Sequence, residues 1–363
     1  MSHAMRKNVG VIGLGIIGRG VAANLRRKGF PVYVWNRSPR AVPNFVGASG
    51  EVAEICNYIQ LFVPDDAALL ETVEQLSGKL TPRHLILAHS TVAPDSMRAA
   101  AEIVERRKAQ FVEAPFTGSK TAAEKGELVY YVSGNDAAVR EGRPILEASS
   151  KEIIEIGSTI GQASAIKIAT NMITAASVQA TAEALAVVQA LGLPLEKFVE
   201  AMRSNASNST TLTMKLPKML NRDFEPHFSA KHMLKDMQIA NQIGLSHYLD
   251  LGVTAAARDQ LLEQMHWGHG DDDYSVVARK YLHESAPVVG EELQLGQEDE
   301  QAIASESIAG SAEMETHDQQ DSTPEVSPAP VVGVATGGTA NETTPLRRGF
   351  LKQLLSRLSS GEE

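Results

Sequence analysis

Over residues 1–160, short β-branched and aliphatic runs alternate with stretches of helical period. The pattern predicts strands at Asn8–Ile12, Val32–Trp35, Tyr58–Val63, Leu85–Ala88, Gln110–Glu113, Val129–Ser133 and Ile153–Ile156. Strands alternating with helices imply a parallel, doubly wound sheet of the Rossmann type, because parallel neighbours need a crossover connection. From residue 161 the strand pattern stops. Gln162–Leu191 has neither Pro nor Gly and is rich in Ala, Ile, Val and Met, which predicts one long, largely buried helix. Leu191-Gly192-Leu193-Pro194 ends it, with Gly near the C-terminus and Pro soon after. Residues 161–285 are expected to form an all-α domain for substrate binding and oligomerisation, giving a homo-dimer or tetramer through its apolar helices.

Residues 286–345 carry Pro-Ala-Pro and Gly-Gly steps and few large apolar side chains, so a disordered acidic linker is expected there. In residues 346–363, Phe350, Leu351, Leu354, Leu355 and Leu358 share one helical face, with Arg347, Arg348, Lys352 and Arg357 mostly off it. Such a basic amphipathic helix suits docking on a partner protein or an anionic membrane surface. The plainer alternative is a short helix that frays in water.

Composition changes the picture in three places. A chain of 363 residues that is 43% hydrophobic can bury two cores. The net charge of -10 belongs to the tail: Ala286 to Pro345 holds twelve acids and no Lys or Arg, while the chain through Ser285 carries thirty of each sign. A neutral body gives no electrostatic reason to expect nucleic-acid binding. The single cysteine, Cys56, excludes a disulfide framework and lies in an apolar stretch, as a buried, inert thiol does. No run reaches the ~20 apolar residues of a membrane span. The apolar run from Val9 is too short for a secretory leader and is interrupted by glycines, so a cytoplasmic location is expected.

Those glycines form the loop Gly13-Leu14-Gly15-Ile16-Ile17-Gly18, directly after the first strand and opening the expected helix Ile16–Lys28. Strand, GxGxxG and helix together predict a dinucleotide site: Gly13 for the tight turn, Gly15 for close approach to the pyrophosphate, Gly18 for helix–strand packing. The second strand then selects the cofactor. An NAD site usually places an acid there for the ribose 2′-hydroxyl. This chain has Asn36-Arg37-Ser38, and Arg37 can pair with a 2′-phosphate, so NADP is expected.

The second region must supply the chemistry. Lys167 is the one charge in an apolar helical run, and Asn171 lies one turn later on the same face, with Thr174 extending the stripe. A lone Lys on such a helix often only snorkels to solvent. Partial burial beside Asn171 would lower its pKa and make the ammonium a usable proton donor near neutrality.

With these residues the chain resembles the β-hydroxyacid dehydrogenase family, the 3-hydroxyisobutyrate dehydrogenase-like enzymes, and within it most the glyoxylate/succinic semialdehyde reductase branch. The likeness runs from about Asn8 to Leu282. Besides the loop, Asn36-Arg37-Ser38 and the Lys167/Asn171 helix, it rests on three segments: His89-Ser90-Thr91-Val92, Glu113 to Lys120, and Phe228 with Lys235-Asp236-Met237. The segment Gly268–Ser275 matches as well. The resemblance implies hydride transfer from NADPH to a small aldehyde acid such as glyoxylate, succinic semialdehyde or tartronate semialdehyde. Lys167 would be the catalytic proton donor, with Asn171 orienting it. Thr117, Gly118 and Ser119 would hold the substrate carboxylate and Phe228 would wall the pocket, while Asp236 holds the region in place. Val63, Pro64, Thr91 and Lys235 would touch the cofactor. The chain departs from the family at Ala88, where an Asp usually stands, and at Thr117, where Ser is usual.

Two other readings share the architecture: an imine reductase, which usually lacks the lysine, and a non-catalytic NADP-binding scaffold recruited through the terminal helix. His266-Trp267-Gly268-His269 before Asp271-Asp272-Asp273 also suggests a metal site. Hydride transfer with a lysine donor calls for none, so no metal is expected.

Overall fold

The computed structural model describes residues 8–282; the expected linker 286–345 and basic helix 346–363 lie outside the described residues. The sheet is built around Val9–Ile12 (β1), a run buried at every position. Helix Ile16–Arg27 (α1) leads to Val32–Trp35 (β2), Ser49–Ile55 (α2) to Tyr58–Leu61 (β3), Asp66–Ser77 (α3) to Leu85–Ala88 (β4), and Pro94–Glu105 (α4) to Gln110–Glu113 (β5). These five strands are parallel in the order β2-β1-β3-β4-β5. β1, β3 and β4 are buried on both faces, as parallel strands under two helical layers must be, whereas β2 alternates. Val21 and Leu25 of α1 fill one core; Leu69, Val73, Met97 and Val104 fill the other with α3 and α4.

The chain then reverses. Phe116–Thr117 (β6), Lys120–Lys125 (α5), Leu128–Gly134 (β7), Asp136–Leu146 (α6) and Ser150–Gly157 (β8) complete the sheet. β7 runs antiparallel to both β5 and β6, and β8 is parallel to β7. The expected parallel sheet is found in β1 to β5, and the reversal at β7 adds to it: side-chain period marks a strand but not its direction, and β6 is too short to show a period at all.

Helix Gln162–Ala190 (α7) runs for 29 residues and ends in a Schellman motif. Gly192 stands at φ +68°, its N–H donates to Gln189 O, and Leu193 N–H donates to Val188 O. Ten of the 29 residues are buried, and Ile173 and Val187 are exposed. The helix is therefore half-buried rather than largely buried, because Ala, Thr and Ile occur all round it and leave the inward face unmarked. Its buried side meets Leu195–Arg203 (α8), Thr210–Leu220 (α9), Ala230–Ser246 (α10), Gly252–His266 (α11) and a 3-10 helix, Tyr274–Lys280. Val178, Leu185, Leu216, Met233, Met237 and Val276 form the core there.

A buried ion pair fixes the loop ahead of α10. Lys215 Nζ donates to both oxygens of Asp273 at 2.7 and 2.8 Å. The same carboxylate accepts from the N–H of His227 and from the hydroxyl and N–H of Ser275. A desolvated pair holds only when its remaining lone pairs are filled, and here they are.

Candidate active site

Because β1 to β5 are parallel, their C-terminal ends open on one edge, and the strand order reverses between β1 and β3. Ligands of open α/β sheets bind in that crevice. The glycine loop stands there. Gly13 has φ +96°, and a Cβ on it would lie 2.1 Å from Phe62 O; a Cβ on Gly18 would lie 2.0 Å from Gly13 O. At Gly15 a Cβ would meet nothing within 4 Å. Two glycines are thus demanded by the protein's own backbone, and the third leaves open space on the crevice side. No side chain caps α1, whose first turn holds Ile16, Ile17 and Gly18. That is the arrangement an anion needs at a helix N-terminus. A dinucleotide pyrophosphate fits it.

Leu14 is buried, and its N–H donates to Asn36 Oδ1 at 2.8 Å. Asn36 Nδ2 in turn donates to Ser38 O at 2.8 Å. Asn36 therefore ties the glycine loop to the end of β2. Arg37 and Ser38 are exposed beyond it, and Arg37 has no ion-pair partner among the described residues.

Val63 and Pro64 follow β3, and Val63 N–H donates to Ser90 Oγ at 3.1 Å after β4. The next residue, Thr91, gives its carbonyl to Lys235 Nζ of α10. Lys235 also faces the Asp236 carboxylate at 3.1 Å. Asp236 is fully buried, and its Oδ2 accepts from Asn171 Nδ2 at 2.6 Å. Asn171 Oδ1 accepts from Lys167 Nζ at 3.0 Å. A continuous polar chain thus runs from Thr91, in the loop after β4, to Lys167 on α7. Burial pushes the Lys167 ammonium down to about 8, opposed by the charge of Asp236 and assisted by that of Lys235. Thr174 does not join this chain; its hydroxyl donates back to Thr170 O.

Thr117 and Gly118 are exposed and Ser119 is half-buried, on the segment that joins β6 to α5. Gly118 has φ +136°, and a Cβ there would lie 2.8 Å from Leu128. Phe228 is half-buried, stacked on His232 at 5.9 Å and edge-on to Tyr274 at 6.1 Å. The acids of the tempting His/Asp segment have separate partners: Asp271 pairs with Lys231, Asp272 with His269 and Asp273 with Lys215. Cys56 is buried, which pushes its thiol up to about 12.

Sequence reasoning gave no role to Glu113, although the structure puts its buried carboxylate at the start of α7. An acid ending a buried strand was the available signal. Its partners lie 20 to 51 residues away and could not be read locally.

Residues 8–157 match the family described as the NAD binding domain of 6-phosphogluconate dehydrogenase. Residues 161–281 match the family described as the NAD-binding domain of NADP-dependent 3-hydroxyisobutyrate dehydrogenase. Glyoxylate/succinic semialdehyde reductase 1 of Arabidopsis thaliana is 30% identical over 279 residues, covering 74% of this chain and 96% of that one. The cytokine-like nuclear factor N-PAC of Danio rerio is 29% identical over 287 residues, covering 76% of this chain and 62% of that one. A 3-hydroxyisobutyrate dehydrogenase structure from Salmonella typhimurium superposes with a TM-score of 0.70 at 21% identity, covering 76% of this chain and all of that one.

Proposed function

The chain belongs to the β-hydroxyacid dehydrogenase family, and from that premise we propose that it is an NADP-dependent reductase of small aldehyde acids, run in reverse as a dehydrogenase. Family membership carries the oxidoreductase activity and a dinucleotide cofactor; the choice of NADP and of substrate is the proposal. Glyoxylate, succinic semialdehyde and tartronate semialdehyde are the candidate substrates.

The observation that carries it is Lys167, half-buried, held by Asn171 and poised at about 8. The nicotinamide, when bound, supplies the hydride to the carbonyl carbon. Lys167 Nζ gives its proton to the carbonyl oxygen, so the aldehyde becomes an alcohol and the lysine a neutral amine; in the reverse direction that amine takes the proton back. Near neutrality the group is mostly protonated and ready to donate. Asn171 spends its amide N–H on Asp236, which leaves its carbonyl fixed toward Lys167. Thr117, Gly118 and Ser119 offer backbone N–H and hydroxyl groups to the substrate carboxylate, with Phe228 as the apolar wall. Gly13 to Gly18 hold the pyrophosphate, Arg37 and Ser38 the 2′-phosphate, and Val63, Pro64, Thr91 and Lys235 the nicotinamide half.

N-PAC, a protein named as a nuclear factor, is 29% identical over 287 residues, and that likeness is what makes a scaffold the second reading. The Lys167–Asn171 pair favours the enzyme over a non-catalytic scaffold, and the lysine favours a carbonyl over an imine substrate. A homo-oligomer built through the helices and a cytoplasmic location complete the proposal. The test is NADPH oxidation by the purified chain against the three aldehyde acids and a cyclic imine. Turnover of the imine alone, or of none, would overturn it.

A further inference from the structure

We infer that Glu113 is a positioning residue for Lys167: its buried carboxylate pins the first turn of α7 to the sheet and so fixes where the lysine points. The inference rests on the proton-donor reading of Lys167.

An α-helix begins with N–H groups that have no partner within it. α7 starts without a side-chain cap of its own, at Gly161 in the left-handed region. The sheet supplies the cap instead. Glu113, the last residue of β5, accepts from Gly161 N–H at 2.6 Å through Oε2 and from Ser164 N–H at 2.6 Å through Oε1. Ser133 of β7 donates its hydroxyl to Oε2 at 2.5 Å and accepts Ala163 N–H at 3.2 Å. Glu113 and Ser133 are themselves a cross-strand pair of β5 and β7. Both side chains are fully buried.

Three hydrogen bonds to one carboxylate at a positive helix end are strong and strongly oriented. They hold α7 against both translation and rotation at its first turn. Gly161 stands at φ +98° with Pro94 O only 3.2 Å from where a Cβ would sit, so the joint calls for glycine. Lys167 follows one turn after Ala163 and Ser164, so its direction about the helix axis is set by these contacts. A strand that ends beside the cofactor crevice thereby places the proton donor over the crevice.

The experiment compares wild type, Glu113→Gln and Glu113→Asp in the intact chain. Acetylation of Lys167 by acetic anhydride is followed against pH by mass spectrometry, beside kcat, NADPH affinity and thermal unfolding. Gln keeps the shape but presents an N–H₂ where one N–H donor expects an oxygen; Asp keeps the charge but withdraws it by one methylene. Loosening the turn hydrates Lys167, so its labelling midpoint should move from about 8 toward the ordinary lysine value. A rise of ~1 unit or more is expected for Gln and a smaller one for Asp, with kcat down ~10-fold or more and NADPH affinity within about twofold. If Glu113→Gln fails to fold, Glu113→Asp decides alone. Loss of thermal stability with an unmoved midpoint would make Glu113 merely structural and overturn the inference. The labelling needs no turnover, so a chain inactive on every aldehyde acid would sink the proposed function and leave this result readable.

Discussion

Lys167 and Asn171, four residues apart on α7, are joined Nζ to Oδ1 at 3.0 Å. The bond fixes the direction of the Lys167 ammonium. Lys167→Ala should lower kcat by ~10²- to 10⁴-fold, the usual share of a general acid, with NADPH affinity within about twofold of wild type. Stopped-flow turnover and fluorescence titration of NADPH check both halves. Retention of kcat within a few-fold would remove the proton-donor role.

The pH dependence has a fixed sign. With Lys167 as the proposed proton donor, the reduction rate should fall as pH rises through about 8, while oxidation, which would use the amine, should rise over the same interval. Asp236 holds the Lys167 value up by its charge. Asp236→Asn should therefore move the alkaline limb of the reduction profile to lower pH. A limb that stays put or moves up would mean that the two do not interact through charge.

Cofactor preference should reside in Arg37. Arg37→Ala is expected to weaken NADPH by ~10- to 100-fold, the worth of a charge-assisted hydrogen bond, with NADH affected less than about twofold. Equal losses for the two cofactors, measured by titration, would refute a 2′-phosphate contact.

His89 predicts acid sensitivity. It is buried, stacked on Phe62 at 4.4 Å and bonded through Nδ1 to Ala114 O, and burial pushes it down to about 4. The unfolded chain takes up that proton near 6.5 and the folded chain only near 4. Stability is thus full above 6.5 and is lost as pH falls toward 4, by ~3 kcal/mol at the limit. His89→Asn should flatten urea midpoints over this interval; an unchanged slope would place the sensitivity elsewhere.

Much of this was legible because it is local. The glycine loop, β1 to β5 and the ends of α7 declare themselves within a few residues, through Gly, Pro and period. Lys167 and Asn171 were visible as one helical stripe. What could not be read depends on contacts far along the chain: the reversal at β7, the inward face of α7, and the capping of that helix by Glu113 from 48 residues away. Asn36 is intermediate. Its place beside Arg37 suggested a cofactor contact, but its bond to Leu14 N–H, 22 residues back, required the fold.

That bond bears on any redesign of coenzyme use. Swapping position 36 for an acid would be the obvious route to NADH. Yet Asn36 joins two loops with two different atoms, one accepting from Leu14 and one donating to Ser38 O. A carboxylate can keep the first link and would repel the second. The latch would open on its Ser38 side. Arg37, exposed and bound to nothing among the described residues, is the position that can change while the cradle stays shut.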